Sequence, residues 1–214
     1  MEPTDHNRRA WDDIHRQRID ALVGETGLPA QVRHALADLT GKRVLHLQCA
    51  TGESTAELAA LGAIVTGVDS SGQALEAARE RWPSILWVQA DAQVLPAELR
   101  RGRFDLVYAG PGSLLQTTDL DTWMSGVAAA VRPGGDLLLF DEHPVALCVD
   151  GLMHWRENYF DEGSRRLGQV VTSAARAGLP PRALEEYPSR GDEFRRHDAR
   201  IPGTFLLYAQ RSLT

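Results

Sequence analysis

Apolar and polar residues alternate along this chain in blocks that predict strands and helices in turn. The clearest block runs from Arg43 to Asp69. It predicts a buried strand over 44–47, a tight turn at 50–52, a helix from 53 to 62 and a second buried strand that ends at Asp69. Strand, helix and strand in this order form a βαβ unit, whose two strands lie parallel in one sheet.

The rest of the chain continues the alternation. Further strands are predicted over 85–88, 104–108, 136–141, 180–187 and 203–211. Further helices are predicted over 8–23, 30–39, 71–81, 120–131 and 167–175. The start of the third of these helices is indicated by Ser70 and Gln73, which have the Ser-x-x-Gln spacing of a capping box. The turn 132–135 is predicted to precede the 136–141 strand. A chain of 214 residues with this pattern fits a single α/β domain.

The turn of the βαβ unit limits the kind of nucleotide that it can hold. An acid at the end of the second strand, here Asp69, is the position that holds a ribose diol in nucleotide-binding sheets. A pyrophosphate-binding turn needs the spacing G-x-G-x-x-G, whereas this turn keeps only Gly52. The sequence therefore disfavours nicotinamide and flavin dinucleotides.

The segment VLHLQCATG resembles motif I of the class I S-adenosylmethionine (SAM) methyltransferases, which is usually close to VLDLGCGTG. It differs at His46, where the family has an acid, and at Gln48 and Ala50, where it has glycines. It is most similar to a subgroup with a His-x-Gln-Cys form of the motif. The resemblance implies a three-layer αβα Rossmann-like methyltransferase fold, with a seven-stranded, mostly parallel sheet whose last strand is antiparallel. It divides the single domain 1–214 into a helical cap (1–40), a SAM-binding core (41–141) and substrate-side loops with the closing strands (142–214).

The same resemblance implies SAM as cofactor and S-adenosylhomocysteine as product. The motif turn would contact the methionine part, Asp69 the ribose and Asp91 the adenine. The implied cofactor-binding residues are Trp11, Gln48, Cys49, Ala50, Gly52, Asp69, Ser70, Asp91, Ala92 and Ala109. Two alternatives stay open, because Asp91 is also a preferred helix N-cap and Trp11 also suits an anchor to the core.

The acceptor side of the site is expected after the 136–141 strand, since ligands of open α/β sheets bind beyond the carboxyl ends of the strands. His143 is the first candidate for a general base, because imidazole titrates near neutral pH. The alternative is that His143 hydrogen-bonds the cofactor or caps the loop. His154 and Tyr159 are second choices. The connection 188–202, with Arg195, Arg196, His197 and Arg200, is interpreted as a solvated loop at the pocket end of the sheet. The alternative is that this basic run receives an anionic substrate.

Composition and the missing motifs narrow the choice of partners. A net charge of −6 without a long basic run disfavours nucleic acid. The turn 109–113 has neither the Asn/Asp-Pro-Pro-aromatic motif of amine methylation nor an acidic metal ligand, so no metal is expected. The polar N-terminus and the lack of long apolar runs disfavour secretion and membrane insertion, and the two cysteines, with Cys49 placed in the buried motif strand, suit a reducing cytoplasm. The segment 143–167 is short, so a second copy of the chain, as in a homodimer, is one way to complete the pocket.

We therefore expect a methyltransferase that moves a methyl group from SAM to an oxygen or nitrogen of a small organic molecule. One alternative keeps the SAM site without methyl transfer, as in a cyclase, a decarboxylase or a partner-activating subunit. A second alternative, an NAD-dependent oxidoreductase, is disfavoured by the single glycine of the turn.

Overall fold

A computed structural model describes residues 27–150, 153–161, 165–189 and 199–213. The predicted helix over 8–23, with Trp11, lies outside these residues. So do Arg195, Arg196 and His197 of the predicted solvated loop. No helix within the described ranges is long and apolar enough to cross a membrane.

Helices and strands alternate along the chain as the hydrophobic pattern predicts. The strands are β1 (Arg43–Leu47), β2 (Ile64–Asp69), β3 (Leu86–Gln89), β4 (Phe104–Ala109), β5 (Val131–Glu142), β6 (Pro181–Pro188) and β7 (Pro202–Gln210). The α-helices are α1 (Ala30–Ala35), α2 (Glu53–Ala60), α3 (Gly72–Arg81), α4 (Ser113–Gln116), α5 (Leu120–Ala130), α6 (Pro144–Leu147) and α7 (Leu167–Arg176). A short 3-10 turn, Ala92–Val94, follows β3.

The seven strands form one sheet in the order β3-β2-β1-β4-β5-β7-β6. Strands β1 to β5 pair in parallel, and β7 runs antiparallel to both of its neighbours, β5 and β6. The strand order reverses between β1 and β4, and ligands of such sheets bind at the carboxyl edge near this point. The predicted fold class, with its antiparallel last strand, is confirmed.

The sheet is covered on both faces, which makes three layers. On one face, Leu45, Val107 and Leu139 pack with residues of α5 and α7 such as Trp123 and Val170. On the other face, alternate strand residues pack against α1 and α2; this cluster includes Val32, Val44, Leu58, Tyr108, Leu138 and Phe140. Trp123 and Met124 are fully buried, so both belong to the core, as their helical spacing indicates.

Several predicted boundaries were wrong by a few residues. Strand β5 begins at Val131, which pairs with Phe104, and the register shifts before Leu106 pairs with Asp136. The predicted turn 132–135 is therefore an irregular start of this strand, with Gly134 at a φ of +71°. Helix α1 ends at Ala35, four residues before the predicted end.

Three individual assignments also differ from the sequence prediction. Ser71, not Ser70, caps α3, because its side chain accepts a hydrogen bond from the backbone N–H of Ala74. Cys49 lies after the end of β1, so it belongs to the turn and not to the strand. Ala175, predicted on the core-facing side of α7, is exposed.

Candidate active site

The turn after β1 keeps the backbone shape of a glycine-rich turn although it has lost two of its glycines. Gln48 and Ala50 have φ angles of +52° and +49°, a left-handed conformation that side-chain-bearing residues rarely adopt. Gly52 follows at +91°, and a Cβ added there would lie 2.5 Å from Cη2 of Trp87. The turn therefore has left-handed backbone angles, which glycine favours, at Gln48 and Ala50 as well as at Gly52.

Asp69 holds two turns together at the carboxyl end of β2. Its Oδ2 accepts a hydrogen bond of 2.8 Å from the N–H of Ala50, and its Oδ1 accepts one of 2.9 Å from the N–H of Ser71. The side chain is buried, with 4% of the residue exposed. The carboxylate that the sequence assigns to the ribose thus also fixes the motif turn.

Ser70 lies in the turn between Asp69 and α3. Its backbone carbonyl accepts a hydrogen bond of 3.2 Å from Nε2 of Gln89, at the end of β3. The turn of β2 and the end of β3 are therefore joined at the carboxyl edge of the sheet.

The side chain of Gln48 crosses from the motif turn to the turn after β4. Its Nε2 donates a hydrogen bond of 3.0 Å to the carbonyl oxygen of Ser113. Its Oε1 is buried and has no hydrogen-bond partner among the described residues. Ala109, which ends β4 just before this second turn, is fully buried.

His46 occupies a buried position below the motif turn. Its Nδ1 lies 2.7 Å from Oγ1 of Thr55 on α2, and its ring packs at 4.8 Å from the ring of Tyr108 on β4. Burial lowers the pKa of His46 to about 3, so the imidazole is neutral at physiological pH. The residue therefore replaces the acid of the family motif by an uncharged core group.

Cys49 is buried beside the motif turn. Burial raises the pKa of its thiol, and the charge of Asp69 raises it further. The thiol therefore stays protonated and is not a nucleophile.

Asp91 and Ala92 follow β3 at the same edge of the sheet. Asp91 caps the 3-10 turn, because its Oδ1 accepts a hydrogen bond of 2.8 Å from the N–H of Gln93. The structure thus shows the capping role of Asp91, and the adenine contact stays a prediction because one side chain can do both. Ala92 is buried, with 5% exposed.

A cavity of about 380 Å³ opens beyond the ends of β4 and β5. Its wall combines apolar side chains of α4 and α6 with carboxylates, one amide and one arginine. The lining residues are Leu114, Leu115, Asp141, Glu142, Pro144, Leu147, Cys148, Glu157, Asn158, Asp161 and Arg165. Its volume lies in the range of small-molecule sites, roughly 300–1,000 Å³.

Asp141 shapes the wall of this cavity, and the sequence analysis missed it. Its carboxylate accepts hydrogen bonds from the N–H groups of Gly112, Leu114 and Glu142 at 2.7, 2.8 and 2.7 Å. Burial raises the pKa of Asp141 to about 6 against the opposing effect of these donors. The signal available in the sequence was an acid in the last apolar positions of a strand, where a charge needs several donors.

The three predicted catalytic side chains do not come together. His143 is buried and caps α6, with its Nδ1 accepting from the N–H of Val145 at 3.1 Å. Its Nε2 lies 2.8 Å from Oε1 of Glu186. His154 is exposed beside Asp150, and the hydroxyl of Tyr159 accepts from the N–H of Leu167 at 3.1 Å. The structure shows the capping role of His143, and its role as a base stays a prediction. Tyr159 lines a second cavity, of about 880 Å³, and not the one of about 380 Å³.

Comparisons with known proteins indicate the family to which this sequence is similar. Residues 44–135 match the model of a family described as a methyltransferase domain. An uncharacterized methyltransferase of Synechocystis is 38% identical over 109 residues, which is 50% of this chain and 50% of that protein. An O-methyltransferase of Penicillium expansum is 33% identical over 144 residues, 63% of this chain and 51% of that protein. These matches support a class I SAM-dependent methyltransferase.

The fold of this methyltransferase agrees with solved relatives. A crystal structure of a SAM-dependent methyltransferase from Mesorhizobium loti superposes with a TM-score of 0.68 at 24% identity, and covers 85% of this chain and 96% of that chain. At this identity the likeness shows the fold. This methyltransferase spans about half the length of the curated relatives that it matches.

SAM is the cofactor of this family, and the residues at the motif turn fit it. The orphaned Oε1 of Gln48 is a hydrogen-bond acceptor, which suits the donors of the methionine part. Asp69 is a buried carboxylate at the end of β2, and a carboxylate is an acceptor of the kind that suits the ribose hydroxyls. The motif turn and the end of β2 thus offer hydrogen-bond acceptors, and SAM has donors in its ammonium group, its ribose hydroxyls and its adenine amino group.

Proposed function

We propose that this methyltransferase transfers the methyl group of SAM to an oxygen or a nitrogen of a small organic molecule. The observation that carries the proposal is the cavity of about 380 Å³ beside α4, at the same edge of the sheet as the motif turn. Ser113 joins the two, since its carbonyl receives the hydrogen bond of Gln48 and the next residues, Leu114 and Leu115, line the cavity.

When bound, SAM supplies an electrophilic methyl group. The chain's own contribution is then to hold two molecules in line and to exclude water, which gives about 7–11 kcal/mol in favourable intramolecular models. We assign the motif turn to the methionine part, Asp69 with Ser70 to the ribose, and Asp91 with Ala92 to the adenine. Trp11 lies outside the described residues, and its contact with the cofactor stays a prediction.

The wall of the cavity indicates the kind of acceptor that it takes. Leu114, Leu147 and Pro144 offer apolar contact, while Glu142, Asp161 and other polar groups offer hydrogen bonds. A wall with apolar surface and a few polar groups is typical of sites for small organic ligands. The O-methyltransferase name of the Penicillium expansum relative favours oxygen as the methylated atom.

Replacing Asp69 by alanine tests this proposal. The variant loses the hydrogen bonds to the N–H groups of Ala50 and Ser71 as well as the ribose acceptor. We expect SAM affinity to fall by about a hundredfold, as expected for lost hydrogen bonds to a charged group. The measurements are calorimetric titration with SAM and formation of S-adenosylhomocysteine over a panel of small phenols, acids and amines.

Asp105→Ala is the matched control. Asp105 also accepts a backbone N–H, that of Arg43 at 2.8 Å, and pairs with Arg132, but at the opposite edge of the sheet. The Asp105→Ala variant should bind SAM with an affinity within about twofold of that of the wild type. Equal losses in both variants, or an unchanged affinity in Asp69→Ala, would contradict the assignment of the site.

A further inference from the structure

The amide of Gln48 uses its donor and leaves its acceptor without a partner. A backbone carbonyl oxygen can only accept, so the Gln48 atom that lies 3.0 Å from the Ser113 oxygen is the nitrogen Nε2. This fixes the other amide atom as the oxygen Oε1, which is buried and has no hydrogen-bond partner in the described part of the chain. A buried acceptor in this state is unfavourable unless a donor reaches it.

The backbone of Gln48 is unfavourable as well. Its φ of +52° lies in the region that glycine adopts without cost, and the family motif has glycine here. Glycine would remove both the strain and the unpaired oxygen. A residue that is strained and unsatisfied at a functional turn points to a role for its side chain.

We propose that Oε1 of Gln48 accepts a hydrogen bond from the methionine ammonium group of bound SAM. The inference rests on the proposed function, and it adds a side-chain ligand at a position where the family motif has none. An amide oxygen accepts from an N–H or an O–H donor. The ammonium is the donor of the methionine part, which we assign to this turn. The other donors of SAM belong to the ribose and the adenine, assigned to the ends of β2 and β3.

The side chain of Gln48 also connects the cofactor to the cavity proposed for the methyl acceptor. Its Nε2 holds Ser113, the first residue of α4, and Leu114 and Leu115 of that helix line the cavity. Asp141 holds α4 from the other side through the N–H of Leu114. Gln48 therefore bridges bound SAM and the cavity wall.

The Gln48→Gly variant tests the inference, since it removes the amide and suits the backbone. The probes are S-adenosylhomocysteine, which keeps the ammonium group, and its deaminated analogue, which lacks that group alone. We expect the variant to bind S-adenosylhomocysteine about tenfold or more weakly than the wild type, the loss expected for a hydrogen bond to a charged group. Both proteins should bind the deaminated analogue within about twofold of each other.

Thermal unfolding and a second variant keep the test decisive. Gln48→Gly should unfold at or above the wild-type temperature, and Gln48→Met, which keeps the length without the amide, should show the same ligand pattern. An unchanged affinity for S-adenosylhomocysteine, or an equal loss for both ligands, would overturn the inference. Failure of the wild type to bind S-adenosylhomocysteine would instead overturn the proposed function.

Discussion

Replacing Gly52 by alanine is expected to lower the free energy of unfolding by about 2–5 kcal/mol and to abolish measurable SAM binding. Two costs add. A φ of +91° strains any side-chain-bearing residue, and the new Cβ would lie 2.5 Å from Cη2 of Trp87 and 3.2 Å from Cβ of Ala78. The Trp87 ring is buried and its Nε1 donates to the carbonyl of Trp82 at 3.1 Å, so the ring has little room to move. Urea unfolding measures the loss.

Gly178→Ala is the matched control for backbone strain. Its φ is +84°, but an added Cβ would meet no described atom within 4 Å. Gly178→Ala should lower the free energy of unfolding by only about 1–2 kcal/mol, which is the strain of the left-handed conformation. When Trp87 is replaced by Leu, adding Gly52→Ala should lower the free energy of unfolding by less than it does in the wild type. If Gly52→Ala and Gly178→Ala cost the same, close packing against Trp87 is not what requires glycine at position 52.

Acid is expected to destabilise the protein through His46. The pKa of His46 is lowered by burial to about 3, whereas in the unfolded chain it lies near 6.5. A group with a lowered pKa of this kind stabilises the fold above pH 6.5, and its contribution is lost as the pH falls toward 3. At pH 5 the loss amounts to about 2 kcal/mol. Urea unfolding at about pH 7.5 and about pH 5 measures this loss in the free energy of unfolding.

The His46→Gln variant isolates this effect, because glutamine keeps a polar contact for Thr55 and does not titrate. Asp141 acts in the opposite direction, since its raised pKa of about 6 gives stability at low pH that is lost as the pH rises through 6. Subtracting the variant's pH profile from that of the wild type cancels this contribution. Parallel profiles of the two proteins would show that His46 is not the acid-sensitive group.

The fold was accessible from sequence where local patterns determine it. The βαβ unit ends at Asp69 as predicted, because buried strands, a glycine-marked helix end and a terminal acid are all local signals. The start of β5 was missed, because Pro133 and two glycines read as a turn. Pairing of Val131 with Phe104 overrides that local preference.

The site was less accessible, because its contacts join distant parts of the chain. The sequence placed Gln48 at the turn, but its bond to Ser113 spans 65 residues and leaves no periodic signal. His143 was predicted to be a general base because imidazole titrates near neutral pH. Its place before Pro144 was the better signal, since proline favours the first helical position and the preceding residue is then the cap.

The most direct test of the central claim is calorimetric titration of the purified protein with SAM, S-adenosylhomocysteine and NAD in parallel. The account predicts one site that binds the first two ligands and shows no heat with NAD, because Gly52 is the only glycine left in the turn. Binding of NAD, or no binding of SAM and its product, would contradict the account.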